Sequence, residues 1–96
     1  MEIMADVATE MGLSHKDARL LTLQTALGSA KLAYESSEDL STLRQQVTSR
    51  GGITEAALKV FKSKGIADMI REAMTANLAR SESLAKELHQ NKRLPD

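Results

Sequence analysis

Cysteine is absent from this 96-residue sequence, so disulfide bonds and thiolate chemistry are excluded. Tryptophan is also absent, and aromatic residues make up only 2% of the chain. Sheets are not expected, because the β-branched and aromatic residues that favour strands are sparse. A single proline leaves long stretches free to remain helical. Together these absences predict an all-α fold, and the lack of cysteine agrees with a cytoplasmic setting.

The sequence also lacks an excess of charge of either sign. Thirteen basic residues balance thirteen acidic ones, whereas proteins that bind nucleic acid usually carry a basic surplus against the phosphates. No apolar run is long enough to cross a bilayer, and the acidic start MEIMADVATEM is unlike a signal peptide. We therefore expect no nucleic-acid partner and no membrane partner. A net charge of zero does little to oppose self-association.

What the sequence contains is a helical pattern in which Ala and Leu are the commonest residues. Apolar and small residues recur at helical spacing, and turn signals separate the segments. The pattern predicts five helices: one ending at Gly12, then His15–Glu35 with Ser14 as its N-cap, Leu40–Val47, Thr54–Ser63, and a last helix of roughly 28 residues from Ile66. No cap precedes the first helix, which favours a truncation at Met1.

The expected core is built from Leu, Ile, Met and Ala, including Leu58, Phe61 and Ala57 on the fourth helix. Gly28, in the middle of the second helix, predicts the close approach of another backbone, the alternative being an ordinary tolerated glycine. The last helix would be about 40 Å long, more than a compact chain of this size covers. Its far end is therefore expected to contact a second chain, unless it is a single extended helix with a frayed tail.

One stretch, TSRGGITEAAL at Thr48–Leu58, combines a glycine pair with the start of a helix. The first N–H groups of a helix lack partners, and the helix dipole adds positive charge there. Two preceding glycines leave an anion room to reach those donors. The hydroxyls of Ser49 and Thr54 and the charge of Arg50 would add to the attraction. The stretch therefore predicts an anion site.

A plainer interpretation of the same stretch is that Gly51 and Gly52 only form a tight turn and that Thr54 only caps its helix. The stretch fits neither G-x-x-x-x-G-K-[ST] nor G-x-G-x-x-G after a strand, so it does not by itself predict nucleotide binding.

Metal binding and a catalytic triad are not expected. His15 and His89 lie far apart in a chain without cysteine, and a metal site needs three or four converging ligands. Ser49, His15 and Asp17 could be written as a triad, but residues two apart on a helix face away from each other. No catalytic residue is assigned.

Three stretches closely resemble the C-terminal helical domain of pyrroline-5-carboxylate reductase: LTLQTALGSAKL, LRQQVTSRGGITEAAL and GIADMIREAMTANLARSESL, at residues 21–32, 43–58 and 65–84. The resemblance covers nearly the whole chain, so the domain is identified as residues 1–96. The family's most specific motif is commonly hydroxyl-Ser-Pro-Gly-Gly-small-Thr. In this sequence Arg50 stands where the family usually has proline, and Ile53 where it usually has Thr or Ala.

The resemblance implies an enzyme that reduces the imine pyrroline-5-carboxylate to proline with NADPH or NADH. In the family the glycine loop holds the substrate carboxylate, which would here be gripped by backbone N–H groups of Gly52, Ile53 and Thr54 and by the Thr54 hydroxyl. The substrate-binding positions carried over are Ser49, Gly51, Gly52, Ile53 and Thr54. Gln46 is carried over as a weaker contact near the cofactor.

The family's helical domains interlock into a homodimer, and the dimers commonly assemble into rings of five. The resemblance further implies that the cofactor is bound mainly by an N-terminal Rossmann domain that this sequence does not include, so the isolated chain is expected to be inactive. A helical self-association module, with no ligand and with the loop as a mere turn, is the alternative from another class.

Overall fold

The computed structural model describes the backbone of residues 1–92 and the side chains of residues 1–90. Five helices account for most of this length, and no strand occurs within residues 1–92, so the predicted all-α fold is confirmed. The helices are α1 (Glu2–Glu10), α2 (His15–Glu35), α3 (Leu40–Gln46), α4 (Ile53–Ser63) and α5 (Ile66–Lys92). Three bounds differ from the prediction: α1 ends at Glu10 rather than at Gly12, α3 ends one residue earlier, and α4 begins at Ile53 rather than Thr54.

The helix ends follow from local chemistry. Ser14 caps α2, its hydroxyl oxygen accepting a hydrogen bond from the Asp17 N–H at 3.1 Å. Asp39 caps α3 in the same way, accepting from the Thr42 N–H at 2.8 Å. Gly12 and Gly65 follow α1 and α4 with φ of 114° and 76°, a left-handed conformation that favours glycine after a helix.

Contacts within the chain divide it into two compact units, and the boundary along the sequence falls between Thr48 and Ser49. In the first unit α1 packs against α2. The close approach occurs at Ala18 and Thr22, which lie one turn apart on α2 and are buried. Small side chains at i and i+4 let the two backbones come together on that face.

Gly28 does not have the close neighbour that its position in α2 predicts. Apart from its two chain neighbours and the adjacent backbone of α2, no atom of the described chain lies within 4 Å of where its Cβ would stand. Within the first unit, close packing therefore occurs nearer the start of α2, at Ala18 and Thr22.

In the second unit α4 packs against α5, but the burial predicted for α4 is wrong for the single chain. Leu58 is only half-buried, Phe61 is 49% exposed, and Ala57 is exposed. The periodicity identifies the apolar face of α4 correctly, yet α5 covers only part of it.

A conventional core is not formed among residues 1–90. Among residues 1–90, Ala18 is the one buried apolar residue, and six large apolar side chains of α5 are exposed: Met69, Ile70, Met74, Leu78, Leu84 and Leu88. Exposed apolar surface on this scale is typical of an interface, because monomeric proteins rarely leave it uncovered. None of the described helices is long and apolar enough to cross a membrane.

Candidate functional site

The candidate site is built on a tight turn at the start of the second unit. The Gly52 N–H donates to the Ser49 carbonyl oxygen at 2.9 Å, which closes a four-residue turn. Gly51 has φ of 73°, and no non-glycine residue among those described has a positive φ. A positive φ at the third position alone defines a type II turn, which requires glycine there and favours proline at the second position. That second position holds Arg50.

The second glycine, Gly52, is required for a different structural reason. A Cβ on Gly52 would stand 3.1 Å from both the carbonyl oxygen and the Cβ of Ser49, tighter than most real contacts. Gly52 is also the N-cap of α4, with an extended backbone and no side chain to cap the helix. Gly51 therefore allows the turn, and Gly52 allows the turn to run directly into the helix.

The turn leaves the first helical N–H groups of α4 open. The Ala56 N–H makes the first bond of the helix, donating to the Gly52 carbonyl oxygen at 3.2 Å. The N–H groups of Ile53, Thr54 and Glu55 have no acceptor in the part of the chain that the structure describes. Three convergent donors at the positive end of a helix dipole are suited to an anion such as a carboxylate.

The structure removes one role considered for Thr54. It is the second residue of α4, and no side chain caps that helix, so the interpretation of Thr54 as the N-cap is wrong. Its side chain is half-buried, and its hydroxyl has no hydrogen-bond partner among the described residues. Ser49 is exposed, and Ile53 is 91% exposed. The hydroxyl of Thr54 is therefore open to a ligand.

Glu55 is a contributor to this loop that the sequence analysis missed. One carboxylate oxygen, Oε2, accepts from the Gly51 N–H at 3.2 Å, and the other, Oε1, lies 3.1 Å from Nζ of Lys59. The Lys59 contact and then the Gly51 bond lower the pKa of Glu55 from its ordinary value. The sequence signal was available, because glutamate three residues after an N-cap is the acidic half of a capping box.

The predicted site residues fall into two groups. Ser49, Gly51, Gly52, Ile53 and Thr54 lie together in the turn and the first two helical residues of α4. Gln46 is the exposed last residue of α3 and belongs to the first unit. No group of three or more metal-ligating side chains occurs among the described residues.

Comparison with known proteins points to one family. The family model for pyrroline-5-carboxylate reductase dimerisation matches residues 1–84. Curated pyrroline-5-carboxylate reductases are similar over most of this chain: that of Pseudomonas aeruginosa is 43% identical over 90 residues, 94% of this chain. Those of Vibrio alginolyticus and Escherichia coli K12 are 42% and 37% identical, each over 90% of it.

These relatives are considerably longer proteins. The matched region covers 33% of the Pseudomonas aeruginosa reductase and 32% of the Vibrio alginolyticus enzyme. The chain therefore spans about a third of the length of the curated relatives it matches.

Proposed function

This chain belongs to the pyrroline-5-carboxylate reductase dimerisation family, and we propose from that membership that it is the C-terminal domain of an enzyme that reduces 1-pyrroline-5-carboxylate to L-proline. In that enzyme the chain supplies the dimer interface and the loop that binds the substrate carboxylate. The reaction adds a hydride to the imine carbon and a proton to the ring nitrogen, and it serves proline biosynthesis.

The loop would bind the substrate through its open donors. The N–H groups of Ile53 and Thr54, with that of Glu55 behind them, would hold the carboxylate oxygens, and the Thr54 hydroxyl would add a further bond. The Gly52 N–H is already engaged by Ser49, so Gly51 and Gly52 contribute through the shape of the turn. Ser49 would line the pocket beside the ring. Holding the substrate by its carboxylate would supply much of the rate enhancement, because hydride transfer requires the imine carbon to be aligned with the hydride donor.

The cofactor site is proposed to lie mainly outside this chain. The described residues contain neither a strand nor a glycine-rich strand–turn–helix, so they do not fit a dinucleotide by themselves. NADPH or NADH would be held by an N-terminal domain, with Gln46 as the one contact carried over to this chain. No step of the reaction is assigned to a side chain of this domain.

Self-association follows from the uncovered apolar surface. A second copy is the proposed partner, because the exposed apolar side chains of α5 and α4 recur at the spacing of a packed helix face. Larger rings of dimers are proposed only by analogy with the family. A cytoplasmic setting is proposed on the absence of cysteine.

The observation that carries the proposal is the turn at Ser49–Gly52 running into unpartnered helical N–H groups, in a chain similar to named reductases over most of its length. The alternative of a self-association module without a ligand is not favoured, because it leaves the sequence similarity to these enzymes unexplained.

A chimaeric enzyme tests the proposal. The chain would replace the matching third of the Pseudomonas aeruginosa reductase, and NADPH oxidation with pyrroline-5-carboxylate would be measured. We expect turnover by the chimaera and none by the isolated chain or by the relative's remaining two thirds. A chimaera that is folded and dimeric, and that binds NADPH but does not turn over, would contradict the proposed function.

A further inference from the structure

Glu55 engages both of its carboxylate oxygens within α4 and the preceding turn. Oε2 accepts from the Gly51 N–H at 3.2 Å, and Oε1 pairs with Nζ of Lys59 at 3.1 Å. The Glu55 side chain is 26% exposed, compared with 76% for Lys59. The carboxylate is thus held against the turn by its own helix.

With the Glu55 contact in place, the N–H groups of the loop fall into two sets: those already hydrogen-bonded within the chain and those without an acceptor among the described residues. The two turn donors are satisfied from within the chain, the Gly51 N–H by Glu55 and the Gly52 N–H by the Ser49 carbonyl. The next two, on Ile53 and Thr54, have no acceptor within the described residues. Without the Glu55 carboxylate, the Gly51 N–H would be a further open donor beside them.

A substrate carboxylate and the Glu55 carboxylate are the same chemical group. Both can accept from the N–H groups of the loop, and the bond to Glu55 removes the Gly51 N–H from those open to the substrate. The bond to Glu55 also restrains Gly51 in its left-handed conformation, φ 73°, on which the turn depends. Lys59 offsets the charge of Glu55, which would otherwise repel an incoming anion.

We propose that Glu55 is a positioning residue for the substrate carboxylate: it occupies the Gly51 N–H, fixes the turn, and leaves the N–H groups of Ile53 and Thr54 as the place where the anion binds. This inference rests on the proposed carboxylate-binding function of the loop. The Glu55 side chain acts through the turn, and it contacts neither the substrate nor the reacting atoms.

The first experiment tests the contact without any substrate. In the ¹⁵N-labelled chain, the Gly51 amide proton resonance would be followed from about pH 6.5 to about pH 2.5, the range in which a glutamate titrates. We expect its position to change with a midpoint below the ordinary value for glutamate, and the change to vanish in Glu55→Gln. The matched control is Glu72→Gln, on an exposed part of α5, which should leave the Gly51 titration intact. A Gly51 amide that does not respond to pH in the unmodified chain overturns the proposal.

The second experiment measures positioning through kinetics of the chimaeric reductase. Glu55→Ala should raise KM for pyrroline-5-carboxylate about tenfold while kcat changes less than about twofold, since lost ground-state positioning appears in KM. Glu55→Gln keeps an oxygen that can accept from Gly51, so it should restore KM to within about threefold. An unchanged KM in Glu55→Ala overturns the proposal. If the unsubstituted chimaera lacks turnover, the proposed function fails, and the Gly51 titration still decides whether Glu55 holds the turn.

Discussion

Thr54 shows how a one-residue difference in a helix start changes what a side chain can do. With α4 beginning at Ile53 and capped by Gly52, the Thr54 hydroxyl is not required to complete the helix. The Thr54 hydroxyl is therefore available to bind a ligand. Substitutions at Thr54 can distinguish ligand binding from a role in helix capping.

In the reductase formed with this chain, Thr54→Ala should lower kcat/KM for pyrroline-5-carboxylate by about 10- to 150-fold. The physical reason is the loss of one charge-assisted hydrogen bond, worth roughly 1.5–3 kcal/mol. The KM for NADPH should barely change. Steady-state kinetics with each substrate varied in turn provides the measurement.

Thermal melts of the same Thr54 variants supply the control. Because Thr54 is not the N-cap, Thr54→Ala should melt within a few degrees of the unsubstituted chain, and Thr54→Ser should retain most of the activity. Full kcat/KM in Thr54→Ala would mean that the carboxylate is bound elsewhere.

Arg50 occupies the turn position at which proline is favoured, so Arg50→Pro should stabilise the chain by about 0.4–1 kcal/mol. Proline restricts the unfolded chain at a position whose φ it can adopt. Chemical denaturation at a fixed protein concentration measures the change, because association alters apparent stability.

Gly51→Ala is the opposing control for the turn. Its φ of 73° strains any side chain, so this substitution should destabilise the chain by about 1 kcal/mol or more. If Arg50→Pro were destabilising while Gly51→Ala was neutral, the type II assignment of the turn would be wrong.

At the scale of the element, two helix starts depend on ionised carboxylates. The bond from Thr42 to Asp39 at the start of α3 lowers the pKa of Asp39, and the Lys59 and Gly51 contacts at the start of α4 lower the pKa of Glu55. A depressed folded-state pKa means that the unfolded chain binds protons more readily. The stabilisation is therefore present above the ordinary carboxyl pKa and is lost as pH falls through the folded values.

Unfolding free energy should accordingly fall as pH drops below about 4. In the double variant Asp39→Asn, Glu55→Gln this fall should be smaller, because neither neutral side chain titrates. Urea denaturation at about pH 7 and about pH 3 measures the difference. An equally steep loss of stability in the double variant would show that other carboxyl groups cause it.

At the scale of the whole molecule, the dominant feature is how little apolar surface is buried among residues 1–90. A chain whose apolar residues on α5 remain exposed cannot gain much from the hydrophobic effect until another surface covers them. Folding stability and self-association should therefore be coupled, and melting should depend on protein concentration.

Sedimentation of the chain at micromolar concentration should give about twice its mass of 10.5 kDa. Leu78→Asp, on α5 and 60% exposed, should shift the population to monomer, because a charge would be buried in the interface. Leu78→Met preserves the apolar volume and should remain dimeric. A monomer for the unsubstituted chain, or a dimer unaffected by Leu78→Asp, would contradict the proposed interface.

The sequence by itself determined the helices and the position of the turn, because the forces that set them act over a few residues. Ser14 caps a helix that begins at the next residue, and Gly12 and Gly65 take positive φ where a helix stops. The glycine pair likewise marked the loop on which the five proposed substrate-binding positions lie. The match to the family model over residues 1–84 confirms the resemblance that these motifs carried.

Only the tertiary structure decided which faces are covered and which donors are free. Helical periodicity identifies an apolar face but does not say whether the chain or a second molecule covers it. The periodicity therefore predicts closer packing around Phe61 and Gly28 than the described residues provide. In the same way, the number of open N–H groups depends on the geometry of the turn, which commits Gly52 to Ser49 and Gly51 to Glu55. Burial and hydrogen bonding depend on where atoms lie in three dimensions, and residue spacing along the chain specifies that only within a single helix or turn.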